Sequence, residues 1–175
     1  MPRTQVLIVG AGPTGLVLAL WLTHLGVKVR IVDKAAQAGA TSRAVAVQAR
    51  TLELYRPLGL DEAVIEGGQR VTAANFWVRS RRAAYALLGA IGQGLSAYPY
   101  LMMYPQDEHE RMLAARLAAL GVNVERSIEV TAFSQTAAGV TVTVGGETQE
   151  ADYIVGCDGA HSLVRKQVAG DFPGG

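Results

Sequence analysis

Cysteine is nearly absent from this 175-residue chain: Cys157 stands alone, so no disulfide can form within it. With one cysteine and three histidines, no pair of soft ligands falls at a metal-binding spacing. A charge excess is missing as well. The net charge of +1 removes the electrostatic case for nucleic acid or an acidic surface as partner. No apolar run reaches the roughly 20 residues that a bilayer requires. The apolar start, from Val6 to Leu22, is interrupted by Gly10, Gly12, Pro13 and Gly15 and shows no A-x-A-like cleavage site, which argues against a signal peptide although Arg3 offers a short basic flank. What remains is a globular piece near the size of one domain, with 50% hydrophobic residues to build a core and the cytoplasm as its expected compartment.

Against these absences stands Val6-Leu-Ile-Val-Gly10-Ala-Gly12-Pro13-Thr14-Gly15, an apolar run that empties into glycines at GxGxxG spacing. Continuous apolar residues with β-branched members suit a strand buried on both faces. Gly10 then allows the tight turn out of the strand, Gly12 lets the backbone approach a pyrophosphate, and Gly15 lets the next helix pack close to the sheet. Pro13 fits the first helical turn, where its missing N–H would have had no partner. The free amides and positive dipole end of that helix attract phosphate without a charged side chain. The helix is predicted from Pro13 to Leu25, apolar nearly all round and hence buried on several sides, with Gly26 as its stop. A second strand over Val27–Val32 leads to Asp33, 18 residues beyond Gly15, close to the ~20-residue offset of a ribose-binding acid.

Further along, 34–42 reads as a loop, a helix is predicted from Val47 to Pro57, and a short helix capped by Asp61 follows. Arg43 is either a phosphate or flavin contact or a solvated arginine. Strands are predicted at Val71–Val78 and Ala97–Tyr104, and 71–104 holds six of the eleven aromatic residues. Aromatics at strand spacing usually form core, yet here they could begin a substrate-facing layer. Asp107-x-x-Glu110 has the form of a capping box, preceded by Gln106, for a helix with Leu113, Leu117 and Leu120 on its apolar face and Gly121 at its end. Strands at 122–126, 128–134 and 140–144 follow, the last alternating strictly, so that 128–151 forms an antiparallel meander inserted into a parallel sheet. Tyr153–Cys157 reads as a buried strand ending in Asp158-Gly159. That acid is either a ligand group at the carboxyl end of a parallel strand or the start of a turn and helix cap.

In order, GAGPTG at 10–15, Asp33-Lys34, Ser42-Arg43-Ala44 leading to Arg50-Thr-Leu-Glu53, Tyr104-Pro-Gln106, and Gly156-Cys-Asp158-Gly159-Ala-His161-Ser162-Leu-Val-Arg165 resemble the class A flavoprotein aromatic hydroxylases. This is the para-hydroxybenzoate hydroxylase-like group, and the chain is most similar to its phenolic and polyketide branch. The resemblance spans nearly the whole chain. It implies an α/β fold, Rossmann-like with a parallel sheet of the FAD-binding type, an inserted meander and the start of a substrate-facing β layer.

The resemblance further implies that Gly10, Gly12, Pro13, Thr14 and Gly15 hold the FAD pyrophosphate and that Asp33, with Lys34 beside it, meets the adenosine ribose. Arg43 and Gln106 match flavin-contacting positions, and Asp158 belongs to a motif tied to FAD and NADPH handling. It implies an oxidoreductase in which NADPH reduces FAD and an aromatic small molecule is hydroxylated with O2. The cofactor supplies the difficult chemistry, so no Ser-His-Asp set is expected, and His161 is read as a loop or cap residue. Family members run to several hundred residues with a later Gly-Asp motif. The chain is therefore expected to be an amino-terminal portion without full activity alone. The alternatives are an NAD(P)-binding Rossmann dehydrogenase or reductase, and a non-catalytic module whose exposed apolar surface drives self-association.

Overall fold

The computed structural model describes residues 3–39, 44–89 and 91–169, which fall into two compact units, one from the segments 1–40 and 110–175, the other from 41–109. The chain runs β1 (Thr4–Val9), α1 (Pro13–His24), β2 (Val29–Asp33), β3 (Ala44–Val47), α2 (Ala49–Tyr55), α3 (Asp61–Gly67), β4 (Gln69–Val71), β5 (Ala73–Val78), β6 (Arg81–Leu87), β7 (Leu101–Pro105) and α4 (Gln106–Ala119). It continues through β8 (Val124–Arg126), β9 (Val130–Thr136), β10 (Gly139–Val144), β11 (Glu147–Gly156) and α5 (Leu163–Ala169), with short 3-10 turns at Arg56–Leu58 and Gly159–His161.

The first unit is a six-stranded sheet in the order β8-β2-β1-β11-β10-β9, parallel from β8 to β11 and antiparallel beyond. The expected α/β fold with its parallel sheet and meander is present. β1 lies between β2 and β11, and Val6 to Val9 are buried on both faces, which explains the unbroken apolar run. Leu7, Val9 and Val32 share one cluster with the alternating Val140, Val142 and Val144 of the meander and with Val164 of α5. β11 does two jobs in ten residues: it pairs antiparallel with β10 early and parallel with β1 late. Its end is therefore less enclosed than predicted, with Tyr153 68% exposed.

Other boundaries shift for identifiable reasons. α1 buries Gly15, Leu16, Ala19 and Leu20 on one face, leaving the rest of its apolar surface only partly covered rather than enclosed on several sides. α4 starts at Gln106, two residues earlier than a capping box with Asp107 as N-cap implies, so Asp107 lies within its first turn. Leu113 and Leu117 are fully buried, worth roughly 1.5–3 kcal/mol each, but Leu120 is 43% exposed and leaves the predicted apolar face.

The second unit holds two small sheets, β3-β7-β4 and the hairpin β5-β6. Val47 belongs to β3, paired with Met102, and not to a helix; buried tertiary pairing overrides its place in the helical pattern. Asp61 is the first residue of α3 and does not cap it; its carboxylate accepts the Tyr98 hydroxyl proton at 2.5 Å. The predicted strand 71–78 is divided between β4 and β5, Ala97–Tyr104 is extended only from Leu101, and β6 was not anticipated. The β5-β6 turn uses Arg79 and Ser80, both at positive φ, instead of the usual glycine or asparagine. Tyr55 and His109 are hydrogen-bonded inside this unit at 2.9 Å, and burial pushes the Tyr55 phenol up to about 12.

Ser127 is the non-glycine residue in the first unit at positive φ, 56°, among the described residues. It links β8 to β9, and its N–H and that of Ile128 bond to the carbonyls of Ala35 and Asp33. The left-handed conformation costs a non-glycine residue about 1–2 kcal/mol, partly offset by glycine's greater unfolded freedom. Ser127→Gly is expected to raise unfolding stability by up to about 1 kcal/mol, measured by urea denaturation.

Candidate functional site

The end of β1, the start of α1 and the end of β11 meet through their backbones. The Cys157 N–H donates to the Val9 carbonyl at 2.7 Å and the Gly10 N–H to that of Val32 at 2.8 Å. Gly10 has φ 102°, and a Cβ there would sit 2.3 Å from the Cys157 carbonyl oxygen. A Cβ on Gly15 would lie 2.0 Å from the Gly10 carbonyl oxygen. These two glycines are therefore required by the protein's own packing. Gly12 is different. It caps α1 without any side-chain hydrogen bond, and a Cβ on it would meet nothing within 4 Å. Pro13 takes the first helical position as expected, and exposed Thr14 follows. The first-turn amides of a helix lack intrahelical acceptors, so this end presents donors into open space.

That space is one cavity of about 530 Å³, entirely within the first unit. Gly10, Gly12, Asp33, Lys34 and Asp158 all line it, so residues separated by more than a hundred positions converge. His161, which ends the short 3-10 turn, also reaches the wall. Arg43 lies outside the described residues. Gln106 begins α4 in the second unit.

Asp33 is carried to the rim by the last position of β2. Its Oδ2 accepts the Ala11 N–H at 2.6 Å and its Oδ1 accepts the Ala35 N–H at 2.8 Å. An ionised carboxylate offers about four lone-pair sites, which leaves capacity for hydroxyl donors from the cavity. Asp158 takes the cap role of its two sequence readings and also borders the cavity. Its Oδ2 accepts the Leu163 N–H at 2.7 Å and its Oδ1 the Ser162 hydroxyl, holding the start of α5, while the residue lines the cavity. Ser162 in turn accepts the Arg165 N–H at 3.0 Å, as an N-cap does. Burial, and then the adjacent Asp158 charge, push the Cys157 thiol up.

Several wall residues were not singled out from the sequence: Cys157 itself, the stretch Ile128–Thr131 that opens β9, and Lys166 on α5. Arg126 was also missed. It faces Asp33 from β8 with Nη1 3.5 Å from Oδ2. For it a sequence signal existed only in combination, a cation ending one parallel strand and an acid ending another.

The donor set suits a dinucleotide: unpaired helix-start amides and a glycine with room in front of it for phosphates, and a carboxylate at one end for ribose hydroxyls. Two outcomes follow for the protein alone. Gly15→Ala is expected to melt far below the parent protein because its methyl has no space, whereas Gly12→Ala costs at most about 1 kcal/mol as a poorer cap; thermal melts compare them. Alkylation of Cys157 at pH 7 is expected to be slower than that of a free cysteine peptide. Its rate should rise with pH to a midpoint above the ordinary thiol range, since burial and Asp158 both disfavour the thiolate.

The FAD binding domain model matches residues 3–175. The chain is 37% identical over 179 residues to 12-dehydrotetracycline 5-monooxygenase/anhydrotetracycline 6-monooxygenase of Streptomyces rimosus, covering 98% of this chain and 34% of that protein. It is 38% identical over 170 residues to dialkyldecalin synthase of Streptomyces rugosporus, covering 97% and 35%. Among solved structures, the flavin-dependent monooxygenase PieE in complex with FAD and substrate superposes with a TM-score of 0.86 at 29% identity, over 95% of this chain and 32% of that one. The chain thus spans about a third of the length of the curated relatives it matches. No helix among the described residues is long and apolar enough to cross a membrane. The cavity suits a dinucleotide, and the family match across residues 3–175 gives that dinucleotide as FAD: the chain belongs to the FAD binding domain family of flavoproteins.

Proposed function

We propose that this chain is the FAD-holding portion of an NADPH-dependent monooxygenase that hydroxylates an aromatic or polyketide substrate. The observation that carries the proposal is the open α1 terminus at Gly12 facing the cavity that Asp33 and Asp158 share. Relatives named as tetracycline-type monooxygenases support the substrate class. FAD supplies the redox chemistry when bound. The chain's own residues bind and orient it: the amides around Gly12 take the pyrophosphate, Asp33 accepts the ribose hydroxyls, and Asp158 fixes the turn after β11 beside Gly10. Lys34 adds a cation at the rim, and Arg43 and Gln106 are assigned to the flavin side by family resemblance. The exposed aromatics of the β5-β6 hairpin, Phe76, Trp77 and Tyr85, are proposed as the start of the substrate-facing layer in 71–104.

A second reading has its own support. The relative named dialkyldecalin synthase matches as well as the monooxygenases do. Proteins similar to this chain are therefore named for different reactions, and the rest of a full-length protein would set the chemistry.

Titration with FAD, followed by flavin fluorescence and thermal melting, is expected to show saturable binding and a melting temperature that rises with FAD concentration, as linkage requires. Gly12→Ala, whose methyl would enter the space left for the phosphates, and Asp33→Asn, which loses a charge-assisted hydrogen bond, should each weaken binding by about tenfold or more. NAD(H) binding without FAD binding would overturn the cofactor assignment. For the full-length protein, NADPH consumption stimulated by an aromatic polyketide, with oxygen incorporated into the product, supports the monooxygenase reading. FAD binding with substrate conversion but no NADPH consumption supports the second.

A further inference from the structure

We infer that Arg126 is a positioning residue for the cofactor, acting through Asp33 on the glycine loop. This rests on the FAD reading above. Asp33 and Arg126 are direct partners in the parallel β2-β8 pairing, so both side chains emerge side by side at the carboxyl end of the sheet. Their side chains are only 17% and 22% exposed, which limits screening by salt.

The distances assign separate tasks. Asp33 Oδ2 receives the Ala11 N–H at 2.6 Å, while the Arg126 guanidinium stands at 3.5 Å from the same oxygen. That is longer than a direct charge-assisted bond. Arg126 therefore holds the carboxylate as a counter-charge without displacing the Ala11 amide. The strand carrying Arg126 also continues into backbone bonds from Ser127 and Ile128 to Ala35 and Asp33, so both the side chain and the main chain of Asp33 are tied to β8. A chain of contacts runs from Arg126 to Asp33 to Ala11, between the two glycines of the phosphate loop. Asp33 also shares its cavity with Asp158 and Glu129 and would share it with a dinucleotide's phosphates. Arg126 offsets that negative charge from the β8 side.

The test measures FAD affinity for the parent protein, Arg126→Gln, Arg126→Lys, Asp33→Asn and the double variant. Amide hydrogen exchange at Ala11 is measured in the absence of FAD. Arg126→Gln is expected to weaken FAD about tenfold, Arg126→Lys to recover most of that, and the double variant to bind no worse than Asp33→Asn alone. Ala11 exchange should accelerate in Arg126→Gln while that of Gly10, bonded to Val32, does not. Unchanged affinity in Arg126→Gln, or a loss that adds fully to that of Asp33→Asn, would overturn the inference. If the parent protein binds no FAD, the functional reading fails instead, and unchanged Ala11 exchange in Arg126→Gln then removes the positioning role as well.

Discussion

Everything in the first unit depends on how closely three backbones approach at the end of β1. Val9 gives its carbonyl to Cys157, Gly10 gives its N–H to Val32, and Gly15 presses against Gly10 with no room for a methyl. That contact fixes where α1 begins relative to the sheet, and so where its unpaired amides point. It also fixes where β11 ends, and hence the position of Asp158. The helix dipole and the two acids face one cavity because these strands and this helix share one crossing point. Dense backbone packing makes the arrangement stiff, and stiffness is what a binding constellation needs to hold its donors at a constant spacing.

Glycine therefore has two separate uses within six residues. Gly10 and Gly15 are demanded by the fold, and Gly12 is not; it is the position where the protein leaves space it does not itself fill. The separate roles that the sequence assigns to Gly10, Gly12 and Gly15 reappear in the neighbours of each absent Cβ.

Much of the first unit was legible because its signals are local. Apolar runs, the glycine spacing, the Asp33 offset and the strict alternation at 140–144 each depend on residues close in sequence. The second unit was less legible for the same reason. The Arg79-Ser80 turn carries no glycine or asparagine, five of the seven residues of β6 are arginine or alanine, and Val47 follows a helical pattern yet pairs with Met102. At the site, Gly10, Gly12, Asp33, Lys34 and Asp158 were identified from the sequence and converge on one cavity, while Gly15 packs behind it. Arg126 was not, because its role exists only through the register of β2 against β8, nearly a hundred residues apart. The choice posed for Asp158 was between ligand and cap, and its two oxygens show that a cap can also line a cavity wall.

The pairing of β1 with β11 joins Thr4 to Ala151 and Val9 to Gly156. During synthesis the first strand and its helix emerge long before the partner that completes them, since chains grow from the amino terminus at a few to tens of residues per second. For that interval one edge of β1 has no permanent neighbour, and loop closure over most of the chain must precede the pairing. The glycine loop, made well before β11, is thus among the last places of this unit to reach its final shape. A ligand lying against both strands would bridge segments that are far apart in sequence.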